Sequence, residues 1–241
     1  MAAFVDEVIA QLRRLRSKNP DDVSNVRLVP VEQVLGVSTG DLRELAKKIG
    51  PDADRAATLW REPYLETKAL AILLLPVKAA EPDLIASWVT EIQDWSTCDL
   101  FAKSIMAPRA DAIDWALKWT TSTDLYTRRA GLAVIANYCM RAVKFDADAS
   151  ATILSIIANV AGDERDHVRQ ASCWALREFG KSNTESHEQA CLLALDLIEM
   201  GDSTKAWVGR CAYRELETLI KVPERRRLIS RTSKTAQKYT N

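Results

Sequence analysis

The amino-acid sequence predicts an all-α fold that is built from repeated pairs of helices. Apolar residues recur at helical spacing along the chain, and no stretch alternates apolar and polar residues for long enough to indicate a strand. The sequence also lacks the Asn-Gly and Asp-Gly pairs that are typical of hairpin turns. In addition, two residue types recur at a fixed interval of 41 residues.

Helical segments are indicated by apolar stripes that end at glycines. Three of these stripes are Phe4, Val8, Leu12 and Leu15, then Leu42, Leu45, Ala46 and Ile49, and then Ile153, Ile156, Ile157 and Val160. The second stripe stops at Gly50 and the third at Gly162, while Gly180 and Gly201 close two further segments. Glycine is favoured at these places because it readily adopts the left-handed conformation that commonly ends a helix.

The 41-residue interval occurs twice in each of two registers. The two series are Arg128, Arg169 and Arg210, and Ala130, Ala171 and Ala212. Each falls in the middle of a predicted helix (126–138, 168–179 and 207–219) that follows a shorter one. A period near 40 with two helices per unit is typical of HEAT-like arrays. The sequence therefore predicts a right-handed superhelical array of antiparallel helix pairs, with the three arginines on a concave basic face. The alternative is that Arg and Ala are simply common in helices.

The repeats indicate one domain over residues 1–241, and we expect a monomer. Units within about 1–120 are less regular, the 41-residue repeats cover about 121–220, and a basic tail occupies 221–241. The tail carries seven basic residues and one acidic residue, although the whole chain is neutral, with 33 basic and 33 acidic side chains. Such a basic face suits a polyanion, whereas the alternative is a solvated tail.

The composition excludes several classes of protein. The chain has 241 residues, of which 47% are hydrophobic and 27% charged, as in folded globular proteins. The longest apolar run, 69–75, is far shorter than the roughly 20 residues that cross a membrane. The first segment lacks the basic start and apolar middle of a signal peptide, so we expect a cytoplasmic protein, associated with the nucleoid if bacterial.

Cofactor and metal motifs are missing from the sequence. The five cysteines are scattered without a C-x-x-C pair, and neither histidine lies at the spacing of a zinc site, so we expect reduced packing cysteines and no metal. Neither G-x-G-x-x-G nor a P-loop is present, so we expect no nucleotide cofactor. A Cys-His or Ser-His nucleophile would have to be assembled by the fold.

One local constellation has a possible chemical use. Trp95 and Asp99 are four residues apart, so on a helix they share a face and place an indole beside a carboxylate. An aromatic face and a negative charge together stabilise a cation. Trp174 and Arg177 likewise share a helical face. The alternatives are a core Trp followed by a capping Asp in the first case, and core packing of Trp174 in the second.

With these segments the sequence resembles the DNA alkylation repair family of HEAT-like DNA glycosylases, the AlkD-like proteins. The resemblance extends over nearly the whole chain. It rests on segments that follow one another in order: 36–39 (GVST) with Leu42 and Arg43, Leu59 and Trp60 followed by Glu66, 95–99 (WSTCD), 128–130 (RRA) and 174–178 (WALRE).

The resemblance implies removal of cationic N3- or N7-alkylated purines from double-stranded DNA, without a metal or cofactor. It implies that Asp99 is the catalytic carboxylate and that Trp95 and Trp174 face the lesion. It also implies that Arg129 contacts the DNA backbone and that Thr39 and Arg43 hold a phosphate at a helix N-terminus. The expected DNA-binding residues are Thr39, Arg43, Arg128, Arg129, Arg169, Arg177 and Arg210.

One departure from the family leaves a second function open. Active members carry a Tyr in the helix ahead of the Gly36 segment, where this chain has Val26-Arg27-Leu28-Val29, and no aromatic residue occurs between Phe4 and Trp60. The family also includes members that bind DNA without efficient excision. The alternatives to a glycosylase are therefore a non-catalytic binder of damaged or structured DNA, and a protein-interaction scaffold.

Overall fold

The computed structural model of the chain describes residues 2–16, 30, 33–142 and 144–239, which form two compact units, Met1–Arg109 and Ala110–Asn241. In the first unit the helices are α1 (Ala2–Leu15), α2 (Thr39–Ile49), α3 (Ala53–Trp60), α4 (Leu65–Leu74), α5 (Pro82–Thr90) and α6 (Trp95–Phe101). A 3₁₀ turn (Val77–Ala79) precedes α5, and a π-helical segment (Ala102–Met106) follows α6.

The second unit continues with helices α7 to α12 and ends in a short hairpin. Its elements are α7 (Ala112–Thr120), α8 (Leu125–Arg141), α9 (Ala147–Val160), α10 (Asp166–Gly180), α11 (Thr184–Glu199), α12 (Ser203–Leu216), β1 (Leu219–Ile220), β2 (Ile229–Ser230) and a 3₁₀ turn (Ala236–Lys238). The pairs α7/α8 and α11/α12 pack closely, and α10 packs on both α8 and α12.

The predicted all-α fold of HEAT-like helix pairs is confirmed, with one small exception. The strands β1 and β2 pair antiparallel, with Leu219 opposite Ser230 and Ile220 opposite Ile229. The expectation of no strand is therefore wrong at this place. Two residues per strand are too few to produce the alternation of apolar and polar side chains by which a strand is recognised in a sequence.

Short polar side chains fix where many of these helices begin. In each case the side-chain oxygen accepts a hydrogen bond from the backbone amide three residues later, which satisfies one of the unpaired amides of the first turn. The capping residues are Ser38, Asp52, Asp94, Asp124, Asp146, Asn183 and Asp202. Each such cap stabilises its helix by about 1 kcal/mol.

The 41-residue period describes two repeats well and the third only in part. Helices α8 and α10 begin 41 residues apart, so Arg128 and Arg169 are each the fourth residue of their helix and not its middle. Helix α12 begins only 37 residues after α10, so Arg210 is its eighth residue, about one turn further along. The expectation that each such helix follows a shorter one is wrong for α12, because α11 has 16 residues and α12 has 14.

Glycines end some helices and permit close packing in others. Gly50 and Gly201 have φ of 81° and 75°, as predicted for helix ends. Gly180 was expected to be a left-handed cap, but it is the last residue of α10, and Leu216 and Ala190 fill the space that a side chain would need. Gly209 of α12 lies against the backbone of α11 at Ala194.

We expect Gly209→Ala to destabilise the protein by about 1 to 3 kcal/mol. A Cβ atom at this position would overlap the carbonyl oxygen of Ala194 and lie 2.9 Å from Cγ1 of Ile198, so α12 would have to move away from α11. Urea denaturation of wild type and variant measures the change. Gly40→Ala is the matched control, because Gly40 lies in the first turn of α2 with only the Ser38 hydroxyl nearby, at 3.6 Å. There the better helix propensity of Ala favours a small gain in stability, so an equal loss in both variants would contradict this explanation.

The packing of distant helices also overturns one expectation about the cysteines. Cys173 of α10 and Cys211 of α12 form a disulfide, with their Cα atoms 6.1 Å apart. The expectation that all cysteines are reduced is therefore wrong for this pair, while Cys98, Cys139 and Cys191 are in no disulfide. Within the described ranges, no helix is both long and apolar enough to span a bilayer.

Candidate nucleic-acid interface

Helix α6 carries Trp95 and Asp99 on one face. Both residues are half-buried, so both side chains have access to solvent. The capping residue of this helix is Asp94, whose carboxylate accepts a hydrogen bond from Thr97 N at 2.8 Å. Asp99 therefore lies inside the helix, four residues after Trp95, and is not a capping residue. This placement excludes the alternative, left open by the sequence, that Asp99 caps a helix.

A π-helical segment follows α6 directly. In this segment, Ala102–Met106, the amide of Ala107 donates to the carbonyl of Ala102 at 2.8 Å, which is the five-residue spacing of a π-helix. Such segments are rare and occur frequently at functional sites. No sequence pattern used above predicts it. Its effect is to rotate the buried residues Ile105 and Met106 relative to the face that carries Asp99.

The start of α2 is held in place by a buried carboxylate. Glu66 of α4 is 5% exposed and accepts hydrogen bonds from the backbone amides of Leu35 (2.9 Å), Gly36 (2.6 Å) and Val37 (3.3 Å). Gly36 has φ of 80°, which directs the chain into this turn. Glu66 therefore positions the segment that leads into α2.

The two residues predicted to hold a phosphate are accessible at this helix end. Thr39 and Arg43 are both exposed. The amide of Asp41 is already bonded to the Ser38 hydroxyl at 3.1 Å, and this hydroxyl donates in turn to the Asp41 carboxylate at 2.7 Å. The carboxylate of Asp41 thus offsets part of the positive potential at the helix N-terminus, and Arg43 supplies the opposite charge.

Arg128 is part of an ion cluster in the second unit. Its guanidinium contacts the Asp163 carboxylate at 2.7 Å, Arg165 contacts the same carboxylate at 2.6 Å, and Arg128 Nε donates to Ser122 O at 2.7 Å. The hydrogen bonds from Arg165 and Arg128 lower the pKa of Asp163 to about 2, although burial acts in the opposite direction. Arg128 therefore has an acidic partner within the protein, but it shares this carboxylate with Arg165, so the three side chains keep a net positive charge.

Acid should weaken the fold through this cluster. The folded-state pKa of Asp163 lies below its unfolded value, so the carboxylate stabilises the fold above about pH 4 and this contribution is lost between about pH 4 and pH 2. We expect Asp163→Asn to remove about 1 to 2 kcal/mol at neutral pH. Urea denaturation at about pH 7 and at about pH 3 measures this loss, which should be smaller at the lower pH. Asp148→Asn, at an exposed position in the first turn of α9, is the control. A loss that does not depend on pH would contradict the assignment.

The other arginines that were expected to bind DNA lie in different environments. Arg129 is 6% exposed and donates to His167 O at 2.7 Å, so it connects α8 to α10. Arg169 pairs with Asp166 at 2.7 Å and lies over the ring of Trp207, 4.6 Å from its centroid. This indole was not singled out by the sequence analysis, and only the packing of α12 on α10 reveals its role.

Trp174, Arg177 and Arg210 lie on the same two helices. Trp174 of α10 is half-buried, which is more exposure than a core residue has. Arg177 pairs with Glu215 of α12 at 3.2 Å, and its side chain is 31% exposed. Arg210 is exposed on α12. Of the arginines at the 41-residue interval, Arg210 is thus the most accessible.

The predicted site residues fall into two groups. Thr39, Arg43, Trp95 and Asp99 belong to the first unit, and Trp174 and the remaining arginines belong to the second. The stretch Val26–Val29, where the family has its Tyr, lies outside the described residues. In the parts of the chain that are described, no cluster of His, Cys, Asp and Glu is arranged to hold a metal ion.

A Cys-His pair exists in the fold but is not arranged for nucleophilic catalysis. Cys191 Sγ lies 3.5 Å from His187 Nε2, and the same nitrogen lies 3.0 Å from Leu216 O. A carbonyl only accepts hydrogen bonds, so Nε2 carries the proton and is no base for the thiol. Burial also raises the pKa of Cys191. The pair therefore joins α11 to the end of α12.

A family model and one solved structure agree with this fold. The family model described as DNA alkylation repair enzyme matches residues 8–216. Among solved structures, one described as "A new family of proteins related to the HEAT-like repeat DNA glycosylases with affinity for branched DNA structures" has a TM-score of 0.70 and 19% identity, covering 97% of this chain and 92% of that one. A designed armadillo repeat protein has a TM-score of 0.36 and 12% identity, covering 86% of this chain and 98% of that one. Among curated protein sequences, none matches this chain significantly.

Proposed function

Because this chain belongs to the DNA alkylation repair enzyme family, we propose that it binds double-stranded DNA and excises cationic N3- or N7-alkylated purines. The observation that carries this proposal is the shared, solvent-accessible face of Trp95 and Asp99 on α6. An indole plane beside a carboxylate is suited to a cation, and both the alkylated base and the sugar that it leaves are cations.

The proposed reaction is hydrolysis of the N-glycosidic bond. The alkyl group places a positive charge on the purine, so the bond breaks with its electron pair moving to the base, and the positive charge passes to the deoxyribose. Water then adds to C1′ and loses a proton. Asp99 stabilises the positive sugar and orients this water, and Trp95 on the same helix contacts the deoxyribose. For Trp174, which lies in the second unit, we propose the contact with DNA that the family resemblance implies. The proposed step requires neither a metal nor a cofactor.

The remaining predicted residues divide by exposure. Thr39, Arg43 and Arg210 are exposed and contact phosphates directly in this proposal. Arg128, Arg169 and Arg177 have side chains that are 24%, 31% and 31% exposed and are paired with carboxylates, so they add positive potential more weakly. Arg129 acts by holding α8 against α10 through His167. Such a protein would work where the DNA is, in the cytoplasm or at the nucleoid.

The test is incubation with methylated genomic DNA, followed by mass spectrometry of the released bases. Wild type, Asp99→Asn and Trp174→Ala are run together. Release of 7-methylguanine by wild type, with loss in Asp99→Asn and a smaller loss in Trp174→Ala, supports the proposal. The absence of release from wild type at protein concentrations that saturate the DNA rejects it.

A second candidate is DNA binding without excision. It is favoured by the missing Tyr ahead of Gly36, and by the similar structure described as having affinity for branched DNA. In that case wild type would release no base, and it would bind a four-way junction more tightly than a linear duplex of equal length. A protein-interaction scaffold would instead show little dependence of binding on salt, because few counterions would be released.

A further inference from the structure

The basic tail is folded as far as the structure describes it. We call residues 219–239 the C-terminal basic module. It consists of β1, β2, the loop between them and the final 3₁₀ turn, and its small core contains Leu219, Val222, Leu228 and Ala236, each 7% exposed or less. A solvated tail was the alternative left open by the sequence, and this packing excludes it for residues up to Tyr239.

One arginine of the module is used to attach it to α10. Arg227 donates to the Glu178 carboxylate at 2.7 Å and to the Glu178 carbonyl at 2.8 Å, and Glu178 is 7% exposed. The amide of Leu228 donates to Lys181 O at 2.8 Å. Arg231 also donates to Glu217 O, just ahead of the module. The module is therefore held on the second unit by bonds that use two of its seven cations.

Two other cations of the module, Lys221 and Arg225, make contacts within it. The Lys221 ammonium donates to the carbonyls of Arg225 at 2.6 Å and Arg226 at 2.9 Å, which fixes the loop between the strands. Arg225 contacts the Thr235 hydroxyl at 3.5 Å. The Tyr239 hydroxyl is hydrogen-bonded to Glu224, the single acidic residue of the module. These contacts place the loop alongside the final 3₁₀ turn.

Five cations of the module are exposed to solvent and have no carboxylate from the described part of the chain as a salt-bridge partner. They are Arg225, Arg226, Arg231, Lys234 and Lys238, all exposed. Among the described residues, none of the five forms a salt bridge, whereas Arg128, Arg169 and Arg177 each have an acidic partner. Tyr239, which is 44% exposed, adds an accessible aromatic ring beside the cations.

We propose that the C-terminal basic module binds the phosphate backbone of duplex DNA, as a contact separate from the face that carries Trp95 and Asp99. Exposed cations that lack a carboxylate partner release the counterions condensed on DNA when they bind its phosphates. This release drives binding that does not depend on the base sequence. A membrane is a poorer fit, because Tyr239 is the only large exposed apolar side chain among the described residues of the module. The choice of DNA as the polyanion rests on the proposed function.

The test compares two variants that lose the same charge. The module variant is Arg225→Gln, Arg226→Gln, Lys234→Gln and Lys238→Gln. The control is Lys118→Gln, Arg141→Gln, Lys144→Gln and Arg214→Gln, at exposed positions of the same unit outside the module. Fluorescence anisotropy measures binding to a labelled, unmodified duplex of about 24 base pairs between about 50 and 200 mM salt. Melting temperatures confirm that both variants are folded, as expected for exposed positions.

We expect the module variant to reduce the slope of log K against log salt by about 2 to 4, and to weaken binding at least about 10-fold at the lowest salt. The control should change the slope by less than about 1. Equal changes in both variants would overturn the proposal, since they would reflect net charge alone. A variant that loses affinity for single-stranded RNA of the same length, but not for the duplex, would overturn it as well.

The two proposals fail in distinguishable ways. At saturating protein, the module variant should still release 7-methylguanine from methylated DNA at a rate close to that of wild type, because the module is proposed to contact only backbone phosphates. If wild type releases no base, the proposed excision fails, but the comparison of salt slopes still decides the role of the module. If the slopes do not differ, the module proposal fails whatever the release assay shows.

Discussion

Asp99→Asn is expected to reduce the release of 7-methylguanine from methylated DNA by about 100- to 1000-fold. The substitution keeps the size of the side chain and removes the negative charge that would stabilise the positive deoxyribose. A well-placed charge of this kind lowers the barrier by roughly 3 to 4 kcal/mol, and the loss appears in the rate and not in ground-state binding. Single-turnover assays with saturating protein measure the rate.

Two controls make the Asp99 result specific. Asp83→Asn removes the same charge from an exposed position in the first turn of α5 and should leave the rate unchanged. The affinity of Asp99→Asn for a duplex with an abasic site should stay within a few fold of wild type. Parallel loss of release and of abasic-site binding would instead indicate a folding defect, and full activity of Asp99→Asn would remove Asp99 from the mechanism.

Glu66→Gln is expected to lower the free energy of unfolding by about 2 to 4 kcal/mol. The buried carboxylate accepts hydrogen bonds from the amides of Leu35, Gly36 and Val37. A carboxamide offers one accepting oxygen, and its NH₂ group would face an amide that also donates, so at least one of these amides loses its partner. Chemical denaturation measures the change in stability.

Hydrogen exchange locates the effect of Glu66→Gln. The amides of Leu35 to Val37 should exchange faster in the variant, while amides in the core of α8 should change only by the global loss of stability. Glu81→Gln is the matched control, because Glu81 is exposed and precedes α5 without a side-chain capping bond. Unchanged exchange at Leu35 to Val37 would contradict the role assigned to Glu66. Phosphate contacts through Thr39 and Arg43 should weaken in the variant, since these residues follow the same turn.

Features that depend on neighbouring residues were predicted well. The helices follow from apolar spacing along the chain. Trp95 and Asp99 share a face because four residues make just over one helical turn. Their placement needed no knowledge of the rest of the fold. Gly50 and Gly201 were predicted for the same reason.

Features that depend on distant residues were missed or misjudged. The 41-residue period predicted equivalent arginines, but equivalent spacing does not fix what lies opposite each side chain. Arg128 pairs with Asp163, which lies in the loop between α9 and α10, and Arg129 donates a hydrogen bond to the His167 carbonyl of α10. Gly180 does end α10, but without the left-handed conformation, and Leu216, which is distant in the sequence, fills the space beside it.

The sequence by itself determined the helix pairs, the family and the shared face of Trp95 and Asp99, because these follow from local periodicity and from residues in a fixed order. Only the tertiary structure decided which cations are balanced internally and which remain available for a polyanion. The reason is that a salt bridge can join residues far apart in the chain: Arg128 and Asp163 are separated by 35 residues, and Arg227 and Glu178 by 49. The number of charges can be read from a sequence, but the partner of each charge depends on how the helices pack.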